Sequence, residues 1–348
     1  MTSLPRDLTN DDRRPTVSIV IPTLNAEAYL DECLSSVMVQ DYPRDRVELL
    51  IADGGSTDST IEIARRHGIS GVIPNPLRTG ESGKAFAIRE ATGEIILLLD
   101  SDNILVGSDW LTRIVAPFID PEVWGSQSKS FAYRRSDPAL IRYNALLGAG
   151  DPLTVYAGNY DRLSVFTGTW TGCAHVEERR SGWTRVIIDP DAIPTLGANG
   201  FAFRADVLPD EVRDQPYFFD IDVAAGLIRG GHLVVALVDV PIVHLFCRDV
   251  ATYRRKTRRR VDDFMCHRST SARSYGWGRQ RRGIVRFIVS TVLVFPLVID
   301  AMRGWRRTHD PAVFLHILIA WITLLTYVGG VIRGFRAPSE FDRSGWRQ

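Results

Sequence analysis

Apolar residues in the first hundred positions occur alternately as short β-branched runs and as longer stretches with helical spacing. Runs of strand length cover residues 17–22, 47–52 and 94–99, whereas residues 26–39 place apolar side chains three or four positions apart. Parallel strands that are buried on both faces appear as continuous apolar runs, and their crossover connections are usually helices. The pattern therefore predicts an α/β fold with a doubly wound, mostly parallel sheet flanked by helices.

Later segments follow the same two patterns less regularly. Ser59 and Glu62 have the spacing of a capping box, which predicts a helix through residue 66. Residues 125–191 are rich in Gly, Tyr, Trp and Thr and show no clear periodicity, so no element is assigned there. The remaining predicted elements are helices at 84–91, 110–118 and 218–231 and strands at 71–73 and 233–243, the last of which leads into His244.

Two carboxylates, Asp100 and Asp102, directly follow the apolar run that ends at residue 99. Open α/β sheets bind ligands at the carboxyl ends of their strands. Residues i and i+2 of an extended segment share a face, so both side chains can point into one crevice. Such hard oxygen donors suit Mg²⁺ or Mn²⁺ bound to substrate phosphates, and the alternative is a polar turn after a buried strand.

Two apolar segments near the C-terminus predict attachment to a membrane. Residues 312–332 form a run of 21 residues without Asp, Glu, Lys or Arg, and about 20 apolar residues span the hydrocarbon layer of a bilayer. Residues 287–299 are interrupted by Pro296, which favours a re-entrant or interfacial segment. The alternative is a pair of buried helices in a soluble domain. Arginines lie on both sides of the longer segment, so charge does not settle its orientation.

The formal net charge of +1 conceals a strongly basic segment. Residues 252–282 contain eleven Lys and Arg against two Asp. Such a block predicts an anionic partner, which is a membrane surface, a nucleic acid or a phosphorylated ligand. No recognised nucleic-acid-binding motif accompanies it, so we expect no nucleic-acid partner. Residues 1–14 are polar, lack the apolar stretch of a secretory signal and are expected to be disordered.

Five segments together resemble the family 2 glycosyltransferases of the GT-A fold, a Rossmann-like architecture. In chain order they are VSIVIPTLN (17–25), LIADGGSTDST (50–60), DSD (100–102), GANGFAFR (197–204) and FDID (219–222). The resemblance covers residues 16–260. It implies a glycosyltransferase domain at 15–250, a basic juxtamembrane segment at 251–282, and membrane-associated helices with a basic tail at 283–348.

The resemblance also implies a site for a nucleotide-sugar donor. Pro22, Thr23 and Asn25 match positions that line the nucleoside pocket, and Asp53 matches an aspartate that hydrogen-bonds the base. The alternatives are that Asn25 is a helix N-cap and that Asp53 is a turn residue. The other residues that match the family's donor-binding positions are Lys84, Asp100, Ser101, Arg254, Arg255 and Arg258. For Lys84, an exposed position at a helix start remains an alternative.

A divalent cation, Mn²⁺ or Mg²⁺, is the cofactor that the resemblance implies. Asp102 matches the aspartate that coordinates it, and Asp100 matches a partner that contacts ribose or metal. His244 matches a histidine that completes the metal shell in some members, and a structural role for this histidine remains open.

The family's general base, which takes a proton from the acceptor hydroxyl, corresponds to Asp220. Its distance of eleven residues from Gly231 is the family's usual spacing. Phe219 stands where the family usually has glutamate, so Asp222 remains an alternative base. A charge at a helix N-terminus is the other explanation of either carboxylate.

The resemblance thus implies an inverting, metal-dependent glycosyltransferase of cell-envelope polysaccharide synthesis. The expected donor is a nucleotide-diphosphate sugar, with a UDP-sugar preferred, and the expected acceptor is a hydroxyl of a membrane-bound, lipid-linked glycan. The catalytic domain is expected on the cytoplasmic side of the cell membrane, with basic residues against anionic lipid headgroups. A polyprenyl-phosphate glycosyltransferase similar to dolichyl-phosphate mannose synthase is the alternative. A nucleotidyltransferase and a non-catalytic membrane scaffold are the rivals from other classes.

Overall fold

The computed structural model describes residues 14–69, 71–267, 275–276 and 280–336. The N-terminal segment that is predicted to be disordered lies outside the described residues, except for Arg14. The strands are β1 (Val17–Thr23), β2 (Val47–Asp53), β3 (Val72–Pro74), β4 (Ile95–Leu98), β5 (Asn103–Leu105), β6 (Val123–Ser128), β7 (Phe131–Ala132), β8 (His175–Arg180), β9 (Trp183–Ile188), β10 (Phe201–Arg204), β11 (Val234–Val238) and β12 (Ile242–His244).

The helices lie between these strands and after them. They are α1 (Leu30–Met38), α2 (Thr60–Arg66), α3 (Gly80–Glu90), α4 (Trp110–Val115), α5 (Ala139–Leu147), α6 (Pro152–Ala157), α7 (Asp210–Arg213), α8 (Asp220–Arg229), α9 (Val250–His267), α10 (Arg281–Leu293), α11 (Phe295–Thr308) and α12 (Leu315–Arg336). The segment 125–191, which has no readable periodicity, contains most of β6 together with β7, β8, β9, α5 and α6.

A nine-stranded sheet in the order β3-β2-β1-β4-β10-β6-β11-β9-β8 forms the centre of the protein. The pairs from β3 to β4 and the pair β6–β11 are parallel, whereas β10 and the β8–β9 hairpin run antiparallel to their neighbours. The predicted α/β fold is confirmed, and the sheet is parallel in its N-terminal part and mixed in the rest. The β8–β9 hairpin accounts for part of the antiparallel pairing, because a short turn at Gly182 can join only antiparallel strands.

Strand β1 shows why the N-terminal strands appear as unbroken apolar runs. Val17, Ile19 and Ile21 are buried in the core on one face of the sheet, and Val20 is buried in the core on the other face. Successive side chains of a strand point to opposite faces, so a strand covered on both sides must be apolar throughout. Burial of each such side chain contributes about 1.5–3 kcal/mol.

The predicted strand 233–243 is in fact two strands in different sheets. β11 lies in the large sheet, whereas β12 lies between β5 and β7 in a second sheet of three strands. Pro241 separates them, and a proline has no N–H to continue a ladder. In the small sheet His244 pairs with Asn103, and the Leu245 N–H donates to the Asp102 carbonyl at 2.9 Å. The break therefore brings His244 beside the acidic turn.

The capping box predicted at Ser59 and Glu62 is wrong. Ser59 precedes α2 but makes no side-chain cap bond, and Asp58 accepts from the Thr60 N–H at 3.0 Å instead. A capping box occurs at α3, where Thr79 and Ser82 bond each other's backbone N–H groups. Serine takes the place of the usual Glu or Gln there, so the sequence pattern does not reveal it.

The C-terminal apolar segments form three helices. α10 and α11 meet at 96° around Val294, whose φ is +61°, and Pro296 lies in the first turn of α11. The helix break thus falls two residues before the proline, which is tolerated in the first turn of α11 because a backbone N–H is not needed there. Residues Pro311–Gly334 are long and apolar enough to cross a membrane, with a mean hydropathy of 2.0.

Candidate active site

The turn after β4 presents the two predicted carboxylates at the carboxyl end of the parallel strands. Asn103 closes this turn, because its side-chain oxygen accepts from the Asp100 N–H at 3.1 Å and its own N–H donates to the Asp100 carbonyl at 2.9 Å. Ser101 is buried in the turn, whereas the Asp100 side chain is 31% exposed. The turn is therefore open to solvent on the side of Asp100.

Asp102 lies between an imidazole and an ammonium group. Its Oδ1 is 3.5 Å from His244 Nε2, and its Oδ2 accepts a hydrogen bond from Lys256 Nζ at 3.3 Å. Burial by itself raises the pKa of the Asp102 carboxyl, but Lys256 and His244 outweigh burial and hold that pKa below its usual value. Asp102 is therefore ionised at neutral pH.

His244 is neutral at neutral pH, because burial lowers its pKa and the nearby Asp102 offsets this only in part. A carboxylate and a neutral imidazole are a donor set that Mn²⁺ accepts. No group of three Asp, Glu, His or Cys side chains converges among the described residues. Asp102 and His244 thus fit a metal that takes its other ligands from a bound molecule, as Mn²⁺ and Mg²⁺ do with phosphates.

Lys84 connects two of the predicted carboxylates. Its Nζ donates to Asp220 Oδ2 at 2.6 Å and lies 3.6 Å from Asp100 Oδ1. The preceding residue, Gly83, allows this, since a Cβ there would lie 2.8 Å from Pro22 Cβ and push α3 off β1. Burial alone lowers the pKa of Lys84, but Asp100 and Asp220 outweigh it and hold that pKa above the usual value. Lys84 is thus a buried cation and not an exposed helix-start lysine.

The two candidate bases on α8 face different surroundings. Asp220 faces Lys84, and burial raises its pKa although Lys84 opposes the shift. Asp222 is buried, and its Oδ1 accepts from the Tyr275 backbone N–H at 2.7 Å. Gly197, with φ +121°, packs directly on Asp220, because a Cβ there would lie 2.8 Å from the Asp220 carbonyl. Of the two carboxylates, only Asp220 is paired with the cation that also contacts the acidic turn.

The predicted nucleoside residues lie at the ends of β1 and β2. Asp53 accepts from the Thr23 hydroxyl, from the Ser56 hydroxyl and N–H, and from the Gly55 N–H, at 2.6 to 2.9 Å. A carboxylate has about four acceptor positions, so the protein itself engages Asp53 fully. Its contact with a base stays a prediction.

Asn25 is not a helix N-cap, since α1 begins at Leu30 with Tyr29 as its N-cap. Asn25 has a left-handed backbone, with φ +51°, and its side chain accepts from the Thr57 N–H at 2.9 Å. It therefore joins the β1 and β2 loops beside Pro22.

The basic helix α9 brings Lys256 into contact with the acidic turn, and donor binding by the predicted arginines stays a prediction. Arg254 and Arg255 are exposed, and Arg258 pairs with Asp262 at 3.4 Å. Lys256 instead reaches Asp102 and donates to the Phe246 carbonyl at 2.6 Å. Lys256 lies three residues after Tyr253 on one helix face, and the burial of Tyr253 in the structure turns that face toward the site.

Asp161 and Arg162 are site residues that sequence reasoning misses. The Arg162 side chain is fully buried, pairs with Asp161, and donates to the carbonyls of Ala198 and Asn199 at 3.0 and 3.1 Å. Burial raises the pKa of Asp161, Arg162 opposes this, and the nearby Asp220 raises it further. No periodicity marks this segment of the sequence, so only the fold places Asp161 near Asp220.

Comparisons with known proteins identify a related family, related sequences and a shared fold. Residues 18–174 match the family model described as glycosyl transferase family 2. The poly(ribitol-phosphate) beta-N-acetylglucosaminyltransferase TarS of Staphylococcus aureus is 28% identical over 144 residues, which are 40% of this chain and 23% of that protein.

A second relative is the dolichyl N-acetyl-alpha-D-glucosaminyl phosphate 3-beta-D-2,3-diacetamido-2,3-dideoxy-beta-D-glucuronosyltransferase of Methanococcus voltae. It is 36% identical over 91 residues, which are 24% of this chain and 27% of that protein. This chain thus spans about a quarter of the length of each of these curated relatives.

The fold is shared with the mannosyltransferase PcManGT from Pyrobaculum calidifontis, which was solved in complex with GDP-Man and Mn²⁺. The TM-score is 0.55 at 18% identity, and the match covers 92% of this chain and 88% of that one. The family match, and a fold that places the acidic turn at the carboxyl edge of the sheet, lead to one conclusion: residues 18–174 carry a glycosyl transferase family 2 domain, in a chain with a GT-A fold.

Proposed function

We propose that this protein is an inverting, metal-dependent glycosyltransferase that moves a sugar from a nucleotide-diphosphate sugar to a hydroxyl of a membrane-bound, lipid-linked glycan. One observation carries the proposal. Lys84 binds Asp220 and Asp100 together at the sheet edge where Asp102 and His244 also meet. A base, a cation and a candidate metal site thus lie in one crevice.

Asp220 is the proposed general base. It takes the proton from the acceptor hydroxyl while that oxygen bonds to the anomeric carbon from the face opposite the leaving group. The bond from the anomeric carbon to the diphosphate oxygen breaks with its electron pair, so a nucleoside diphosphate leaves and the configuration inverts. Lys84 favours the ionised form that Asp220 needs for this step.

Asp102 and His244 are the proposed protein ligands of Mn²⁺ or Mg²⁺, with Asp100 beside them. When bound, the cation supplies Lewis-acid stabilisation of negative charge on the leaving diphosphate. Lys256 lies against the same carboxylate and is placed to neutralise a phosphate oxygen. The proposed binding site for the nucleotide part of the donor is completed by Pro22, Thr23, Asn25, Asp53 and Ser101. The mannosyltransferase with the same fold was solved with Mn²⁺ and a nucleotide sugar, which supports this assignment.

The C-terminal helices support a membrane-bound acceptor. Only 39% of the most apolar part of α12 is buried, whereas a core helix of a soluble protein is mostly buried. Large apolar side chains such as Leu325 and Val328 face outward. The names of the relatives give poly(ribitol phosphate) and a dolichyl-linked saccharide as their acceptors, which supports an envelope or lipid-linked glycan. We place the catalytic domain on the cytoplasmic side, with Arg254 and Arg255 against anionic headgroups.

Identification of the products tests the proposed reaction. The full chain in detergent is incubated with Mn²⁺ and a panel of UDP- and GDP-sugars, together with membrane lipid extract as the acceptor source. We expect free nucleoside diphosphate to form together with a sugar-labelled lipid fraction. Release of pyrophosphate instead identifies a nucleotidyltransferase. If no nucleotide raises the melting temperature with Mn²⁺ present, a non-catalytic scaffold is favoured, because a ligand at about 100 times its Kd stabilises by about 2.7 kcal/mol.

Lys84→Met is expected to move the acid limb of the pH dependence of kcat/KM to higher pH. Lys84 is the main group that opposes the effect of burial on the pKa of Asp220. Its removal raises that pKa, so a larger fraction of Asp220 is protonated and inactive at a given pH. Profiles of wild type and variant, measured with the donor that the product assay identifies, show the shift.

Lys129→Met is the matched control, because Lys129 is a partly buried lysine that lies near Glu177 of β8. We expect its pH profile to follow that of the wild type. An acid limb that stays in place in Lys84→Met contradicts the assignment of Asp220 as the titrating base.

A further inference from the structure

A cavity that is separate from the proposed catalytic crevice lies between α6, the loop that follows it, and the start of α10. Its volume is about 740 Å³. Its polar lining side chains are Tyr156, Tyr160, Thr167, Gln280, Arg281, Arg282 and Arg286. None of the carboxylates of the crevice lines it, so it is a separate site.

The cavity carries positive charge without matching carboxylates. The sequence contains no Asp or Glu between residues 264 and 299. In the part of the chain that the structure describes, no ion pair involves Arg281, Arg282 or Arg286. Arg286 donates to the Tyr156 carbonyl at 3.0 Å and lies over the Tyr156 ring. Arginine forks of this kind bind phosphate oxygens in bidentate fashion.

The walls of the cavity are fixed by close packing. A Cβ at Gly283 would lie 2.5 Å from the Tyr156 carbonyl oxygen, so only glycine lets α10 approach α6 this closely. The Tyr156 hydroxyl donates to Asp300 at 2.7 Å, which joins the cavity wall to α11. The backbone positions from which the three arginine side chains extend are therefore fixed by packing.

An exposed apolar stripe continues from the cavity along α10. Val285, Ile288 and Val292 follow Arg281 at helical spacing and are 59%, 42% and 57% exposed. A ligand with an anionic head and an apolar chain matches this sequence of surfaces. A soluble phosphorylated polymer would contact the arginines only, so its binding would not account for the exposed apolar stripe.

We propose that this cavity binds the phosphate group of a membrane lipid, the isoprenoid-type carrier of the acceptor glycan, with the chain of the lipid along the α10 stripe. This inference rests on the proposed function and deepens it. Tyr160 lines the cavity, and Arg162, two residues further on, donates to the Ala198 carbonyl at 3.0 Å, next to Gly197, which packs directly on Asp220. A lipid phosphate held here therefore anchors the acceptor beside the crevice while a sugar hydroxyl reaches Asp220.

Vesicle binding tests the lipid-phosphate site. The full chain is titrated with phosphatidylcholine vesicles that contain a polyprenyl phosphate, and with vesicles of equal surface charge that contain phosphatidylglycerol. We expect the wild type to prefer the polyprenyl-phosphate vesicles by about tenfold or more, since bidentate arginine contacts are stronger than surface charge attraction. Arg281→Gln/Arg282→Gln should abolish that preference, and Arg281→Lys/Arg282→Lys should restore it only in part.

Arg303→Gln/Arg306→Gln is the matched control, because it removes the same charge from exposed positions on α11. It should retain the preference. Equal binding of both vesicle types by the wild type, or an equal loss of preference in this control, overturns the proposal and leaves a general anionic-surface patch. Soluble glycerol phosphate can be added as a competitor of vesicle binding. If it inhibits vesicle binding as strongly as the polyprenyl phosphate does, the cavity is a site for free phosphate, and this result also overturns the proposal.

Calorimetric binding of UDP and GDP with Mn²⁺ separates this inference from the proposed function. The arginine variants should bind the nucleotide as the wild type does. If the wild type binds no nucleotide, the proposed function fails. If nucleotide binding is intact while the lipid preference is absent, only the lipid-phosphate site fails.

Discussion

Asp220→Asn is expected to slow sugar transfer to a hydroxyl acceptor by about 10² to 10⁴-fold, which is the usual contribution of a general base. The asparagine has nearly the same shape, and its oxygen can still accept from Lys84, so donor binding should change little. The loss should therefore appear in kcat, measured at saturating donor. Lys84 holds this carboxylate at 2.6 Å, and no other candidate base on α8 contacts it.

Asp222→Asn serves as the matched control, because Asp222 accepts from the Tyr275 backbone N–H and is buried. This variant should lower the melting temperature, since a buried hydrogen bond is weakened, while kcat per folded molecule stays close to the wild-type value. A larger loss of kcat in Asp222→Asn than in Asp220→Asn reverses the assignment of the base. Near-normal turnover of Asp220→Asn rules out the hydroxyl route and favours a polyprenyl phosphate acceptor, which is already anionic.

Asp102→Ala is expected to abolish the Mn²⁺ dependence of donor binding and to reduce kcat/KM by about a thousandfold, because a catalytic metal contributes several kcal/mol of charge stabilisation. The structure supports this expectation, since Asp102 alone among the carboxylates of the crevice contacts both His244 and Lys256. Calorimetric titration of UDP and GDP with and without Mn²⁺ measures the loss of metal-dependent binding directly.

Asp109→Ala is the control for this experiment, because Asp109 is an exposed carboxylate a few residues further along the chain. It should bind Mn²⁺ and nucleotide as the wild type does. If Asp102→Ala retains metal-dependent binding and turnover at the wild-type level, the cation site lies elsewhere and the proposed metal role of His244 falls with it.

Much of the fold was predictable because its N-terminal half follows simple rules. β1, β2 and β4 are buried on both faces, so their apolar runs mark them, and the carboxylates that follow β4 had to lie at the carboxyl edge of the sheet. The break between β11 and β12 was not predictable from hydrophobicity, because both strands are apolar although they belong to different sheets. Asp161 escaped detection because it lies between α6 and β8, in an irregular segment that has no helix or strand periodicity to mark it.

The sequence by itself determined the α/β class, the acidic turn, the resemblance to family 2 glycosyltransferases and the apolar C-terminal segments, because each is carried by a local pattern of residue types. Tertiary structure decided which side chains of those patterns meet. Lys84 and Asp220 are 136 positions apart, and Lys256 and Asp102 are 154 apart. The choices of Asp220 over Asp222 as partner of Lys84, and of Lys256 over its neighbouring arginines, depend on the rotation of α8 and α9 about their axes. Packing against distant parts of the chain sets that rotation, and no local pattern records it.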